Sequence, residues 1–268
     1  MTANLVSLGE ACRAVLETAD PQEKLMRARQ VARDWRLGRL EHRFDALMPD
    51  YPARPPKPEL LEPRFMPKRR KAGSARARIA MLHALSHIEF VAIDLAFDLV
   101  GRFGGHFPRA FADDWLRVGA DEAMHFALID RRLKQLGSHY GALPAHDGLW
   151  EAAHDTRHDP LARLAIVPMV LEARGLDVTP SMIERFAAMG DESTARILTR
   201  ILNDEIRHVR AGTVWYESAC RIQQKPPEAY WKMLVNRHFK GELKPPFNDS
   251  ARSHAGLTRD YYLQVALL

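Results

Sequence analysis

Two pentapeptides, D-E-A-M-H at Asp121 to His125 and D-E-I-R-H at Asp204 to His208, decide how this chain is read. Each sets a glutamate and a histidine three residues apart: Glu122 with His125, and Glu205 with His208. On an α-helix that spacing is one turn, so a carboxylate and an imidazole share one face and a single helix offers two ligands to a cation. Both pairs interrupt apolar stripes at helical spacing. Phe111, Trp115, Val118, Ile129, Leu133 and Leu136 flank the first, and Ile197, Ile201, Gly212 and Trp215 flank the second. The spacing alone is common, as Glu151 with His154 shows: that pair has no partner helix of matching depth.

Two more glutamates turn the pairs into a pattern. Glu89 precedes Glu122 by 33 residues and Glu172 precedes Glu205 by 33 residues. Glu89 lies in an apolar helical run from Ser74 to about Phe103, which Gly104 and Gly105 end. Pro108 opens the helix of the first pentapeptide, which ends at Gly137. The turn falls midway between Glu89 and Glu122, so antiparallel helices bring both carboxylates to one depth. The Glu172 helix begins at Pro160, kinks at Pro168 and stops at Gly175; a further piece runs from Thr179 to about Met189, and Asp191 caps a long helix carrying Glu205. Equal depth is a weaker inference for this pair, whose connection is irregular.

Six polar groups on apolar stripes are expensive to bury uncompensated. Four carboxylates against two divalent cations balance formally, so Glu89, Glu122, His125, Glu172, Glu205 and His208 read as ligands of a metal pair. Carboxylate and imidazole donors suit iron, or manganese, and the lack of cysteine ligands argues against structural zinc. Asp121 and Asp204, four residues before the histidines, are candidates to orient the imidazoles from behind. His83, His87, Asp94 and Asp98 fall off the Glu89 stripe and read as packing or surface groups.

The paired pentapeptides resemble the signatures of the ferritin-like di-iron carboxylate superfamily. The second has the fuller D-E-x-R-H form of di-iron oxygenases; the first has Met124 where arginine would stand. H-I-E-F-V-A-I-D-L-A from His87, D-D-W-L-R-V-G-A-D-E-A-M-H-F from Asp113 and L-P-A-H-D-G-L-W-E from Leu143 are similar to a bacterial ferritin-like family known as domain of unknown function 455. That resemblance covers about Ala75 to Tyr216. It implies an all-α, ferritin-like four-helix bundle with extra terminal helices, a pair of iron ions with Glu122 and Glu205 as bridges, and an O2-dependent oxidoreductase of the hydroxylase or desaturase type. The resemblance supplies no substrate; a small organic molecule is expected, because the basic run from Arg64 to Arg78 is more often a solvated surface than a binding site, and the electron donor is unspecified. An iron-handling or ferroxidase protein, a di-manganese catalase-like enzyme and a tRNA-modifying hydroxylase are the alternatives.

Around this centre the chain divides into residues 1–73, with two short helices and a proline-rich basic arm, a bundle over 74–224, and peripheral helices over 225–268. Asp20 caps the second short helix and Pro21 opens it. Seven prolines between Pro49 and Gly73 forbid a long helix there. Arg64, Lys68, Arg69, Arg70, Lys71, Arg76 and Arg78 make that arm basic enough for an RNA partner, although such runs are usually solvated. The formal charge of +5 permits one. Glu89, Asp94 and Asp98 break the most apolar run, which excludes it as a membrane span, and no secretory signal is apparent. With Cys12 and Cys220 as the only cysteines, a disulfide framework is not expected and a cytoplasmic location is.

Overall fold

The computed structural model describes residues 6–66, 74–263 and 265, and among these the regular elements are helices apart from one two-residue parallel ribbon, β1 (Val6–Ser7) against β2 (Leu40–Glu41). The basic run Lys68 to Lys71 lies outside the described residues. Two compact units divide the chain, Met1–Trp150 and Glu151–Leu268.

The first unit is built on α3 (Ala75–Phe103) packed along α4 (Arg109–Gln135), with α1 (Leu8–Leu16) against α3 and α2 (Pro21–Arg36) against α4. Local chemistry places the helix ends. The Ser74 hydroxyl accepts from Ala77 N at 3.1 Å, Asp20 accepts from Gln22 N and Glu23 N, and Gly137 leaves α4 at a φ of +76°. Gly119 lets the two long helices close, since a Cβ there would meet the Phe97 ring at 2.6 Å. The proline-rich stretch lies extended against the unit, held by Ala53 N to Leu16 O and by Leu61 N to Ala145 O, both 2.8 Å.

Ala75–His106 is long and apolar enough to cross a membrane, with a mean hydropathy of 1.5, yet 67% of that window is buried inside the protein. It is a core helix, and it buries three carboxylates besides: Glu89, Asp94 and Asp98 are at most 5% exposed. Asp94 is ion-paired with Lys24 of α2 and with Arg54 of the proline-rich stretch; Asp98 pairs with Arg102 at 2.9 Å.

After the short α5 (Gly148–Asp155), α6 (Pro160–Ile166) runs through a π-helical segment, Val167–Glu172, directly into α7 (Ala173–Ala188), and in the second unit these pack on α8 (Glu192–Ile222). A helix stopping at Gly175 is therefore the wrong expectation. The π turn absorbs Pro168, which lacks an N–H, and the Pro168 ring sits where a Cβ on Gly212 of α8 would meet it at 2.5 Å. Pro180, expected near a new helix start, is interior to α7. The carbonyl its missing N–H abandons, that of Leu176, accepts Asn248 Nδ2 at 3.1 Å instead. The peripheral helices α9 (Pro227–His238), α10 (Asp249–His254) and α11 (Arg259–Tyr262) contribute similar contacts: Trp231 Nε1 donates to Ala165 O at 3.3 Å, and Arg252 binds Asp177 through two bonds of 2.8 and 2.7 Å.

Lys24 is fully buried, and the cost of desolvating it, which pushes its pKa down, is opposed by Asp94. Replacing one partner of such a pair leaves the other charged and buried. Lys24→Met should destabilise the protein by about 3 kcal/mol, read as a lowered urea midpoint at unchanged slope. A loss under about 1 kcal/mol would mean that Arg54 alone compensates Asp94.

Candidate metal centre

Glu89 lies near the middle of α3 and Glu122 near the middle of α4, and the turn from Gly104 to Pro108 brings them level. Glu89, Glu122 and His125 each offer a ligand atom within 4.8 Å of the others, all three buried. His125 Nδ1 is 3.3 Å from a Glu89 oxygen and 3.4 Å from a Glu122 oxygen. One ring nitrogen thus faces both carboxylates. The neighbouring Phe90, Ala123 and Phe126 are wholly buried, so these polar groups sit in apolar surroundings.

Burial pushes the Glu89 carboxyl up to about 8; the hydrogen bond from His125 opposes this and the charge of Glu122 adds to it. Two carboxylates so close resist joint ionisation unless a cation lies between them. An imidazole nitrogen and oxygens of two carboxylates are also a donor set that divalent iron or manganese accepts. The residues fit a metal ion.

The second unit carries the other three candidates. On α8, Glu205 and His208 are buried and His208 Nδ1 lies 3.6 Å from a Glu205 oxygen, close to the geometry of the first pair. Glu172 closes the π-helical segment and is half-buried. Asp204 is buried and paired within α8 to Arg200 at 2.7 Å and Arg207 at 2.6 Å, while Asp121 is half-buried. Glu151 is exposed.

The helix faces expected to be surface or packing prove to be buried. His83 accepts from Gly141 N at 2.9 Å, and His87 Nδ1 shares a 2.9 Å hydrogen bond with the Tyr140 hydroxyl. Both rings stack on Tyr140. Asp94, between Ile93 and Leu95 in an apolar helix, signals that a buried acid needs a cation, but no local pattern points to Lys24, 70 residues away.

Residues 17–263 match the family described as "Protein of unknown function (DUF455)". The chain is 38% identical over 271 residues to an uncharacterized protein of Haemophilus influenzae, spanning 97% of this chain and 93% of that one. No solved structure matches it significantly.

The raised pKa of Glu89 fixes the sign of a pH effect. With its ordinary value near 4.5 and the folded value near 8, the metal-free folded state keeps a proton that the unfolded chain releases. This contribution to stability is full below 4.5 and is lost as pH rises towards 8. Thermal or urea unfolding of metal-free protein at pH 5 and pH 7.5 should show that decline, and Glu89→Gln should flatten it. An unchanged slope in the variant would show that Glu89 ionises in the folded state as it does in water.

Proposed function

The chain belongs to the DUF455 family, and from that premise we propose that it is a ferritin-like iron protein, an O2-dependent di-iron oxidoreductase that hydroxylates or desaturates an organic substrate. Its ligands are Glu89, Glu122 and His125 with Glu172, Glu205 and His208. The resemblance to the superfamily implies that the helices bearing them, α3, α4, α6 with its π segment, and α8, would be the four of a ferritin-like bundle.

One observation carries this reading. Of the three carboxylates buried on α3, Asp94 and Asp98 are compensated by Lys24, Arg54 and Arg102. Glu89 is 5% exposed and, within the first unit, has His125 and Glu122 beside it; among the described residues no lysine or arginine reaches within 4.0 Å of it. A divalent metal supplies the cation that its neighbours do not. The repeated Glu-x-x-His geometry on α8 supports a second ion, because three donors are too few for two ions and the six together neutralise them.

Bound there, an iron pair supplies the electrons that reduce O2 and the oxidising capacity that an unactivated C–H bond demands. The chain's own part is to present the donors. Glu122 and Glu205 would be shared between the two ions, His125 and His208 would each supply an imidazole nitrogen, and Asp121 and Asp204 would orient the imidazoles. Apolar side chains such as Phe90 and Phe126 restrict water around the first three donors. The iron assignment and the oxidative chemistry rest on resemblance to the superfamily.

Protein purified without oxygen should carry two iron ions per chain and change its optical spectrum on admission of O2, consuming it in proportion to the metal pair. Glu122→Ala and Glu205→Ala should each abolish this by removing metal, and Asp204→Asn should lower metal affinity about 10 to 100-fold. Retention of two ions at unchanged affinity in either glutamate variant refutes the bridges. Manganese with peroxide disproportionation, or continued uptake of many irons per chain, would replace the oxygenase reading by the catalase or storage one.

A further inference from the structure

A groove of about 1120 Å³ in the first unit is lined by α2 and α4 and gathers arginines from both. Arg29, Arg33 and Arg36 follow one another at i, i+4 and i+7 along one face of α2, and Arg109 and Arg117 stand two turns apart on α4. At 1.5 Å per residue the rows are about 10 and 12 Å long. All five side chains belong to exposed residues, and among the described residues none has a carboxylate within 4.0 Å of its guanidinium. Such an accumulation of like charge is unfavourable for the protein alone and attracts an anion.

The groove is also built. Trp35, 2% exposed, donates from Nε1 to Asp113 at 2.6 Å, and the Arg109 guanidinium lies 3.7 Å from the centre of its ring. The indole thereby orients Arg109 before any ligand arrives. Asp113 and Asp121 line the same groove, and Met26, 60% exposed, gives it an apolar patch.

We propose that this groove binds a compact ligand with two or more phosphate groups, of the nucleoside diphosphate class. The arginine fork pairs with phosphate oxygens through two hydrogen bonds, a match that lysine lacks. The aspartates suit hydroxyl or amino donors of a sugar or base, and they repel a continuous phosphodiester chain. The aromatic ring in the groove is buried beneath Arg109, so the stacking platform that single-stranded nucleic acid uses is missing there. The argument for the groove does not rest on the metal reading, although the two share Asp121.

Calorimetric titration of the full chain at low salt tests the proposal with pyrophosphate, ADP, orthophosphate and a short single-stranded RNA. Pyrophosphate and ADP should bind at least about tenfold tighter than orthophosphate, and binding should weaken as salt rises. Arg33→Ser combined with Arg117→Ser, one from each wall, should weaken ADP at least about tenfold, with helical circular dichroism and metal content unchanged. The corresponding double lysine variant should fall between, keeping charge and losing the fork. Arg132→Ser, at the far end of α4, should bind as the parent does. Absence of ADP and pyrophosphate binding, full binding by the double serine variant, or binding of RNA alone would each overturn the proposal.

Discussion

Burying carboxyl groups inside a helix pair is the constraint on which the first unit depends. α3 is apolar enough to be enclosed on nearly every side, yet it carries Glu89, Asp94 and Asp98 into that enclosure. Each must meet positive charge or hold a proton, because an isolated anion in a poorly polarisable interior is strongly disfavoured. Lys24 ties α2 to α3, and Arg54 does the same for the extended proline-rich stretch. Arg102 serves Asp98 and also donates to Pro49 O at 2.9 Å. The peripheral segments are thus fastened to the core helix largely through its acids. At Glu89 no such cation is found among the described residues, and a cluster with Glu122 and His125 that could hold a metal ion stands in its place.

The second unit solves a different problem, that of prolines within helices that carry candidate ligands. Pro168 is accommodated by widening the helix to a π turn and by a glycine opposite it on α8. The extra residue in that turn changes the direction in which everything after it points, Glu172 included. Pro180 leaves a carbonyl without its usual donor, and Asn248 supplies one from outside the helix. The same C-terminal segment places Arg252, 1% exposed, on the buried Asp177. These terminal residues complete hydrogen bonding that the α6–α7 helix cannot complete itself, a structural role that keeps a ligand-bearing element continuous.

The positive charge of the chain is likewise distributed by the fold. The basic run between Pro67 and Gly73 draws the eye in sequence, whereas the arginines of α2 and α4 look like ordinary solvated faces of two amphipathic helices. Packing α2 on α4 sets those faces on either side of one groove. Neither helix alone makes an anion site, since one row of exposed arginines is well served by water.

Most helix starts and helix faces were legible in the chain because their causes are local, the expected break between Gly175 and Thr179 being the exception. Asp20, Ser74, Asp159 and Asp191 cap the helices that follow them, and Glu-x-x-His puts its two donors on one face wherever a helix forms. Equal spacing about a glycine turn sufficed to bring Glu89 level with Glu122. Long-range compensation was not legible. Lys24 finds Asp94 across 70 residues and Arg252 finds Asp177 across 75, and nothing near either acid in sequence names its partner. The π turn depends on Gly212 accepting the Pro168 ring, and the continuity of α7 depends on Asn248. By itself, then, the sequence determined where helices start, which faces are apolar and which residues stand as donors, because hydrogen bonds and spacing within a few residues decide those things. Only the tertiary structure decided which buried acids are paired with a lysine or arginine and which are not, because that follows from residues brought together across long stretches of chain.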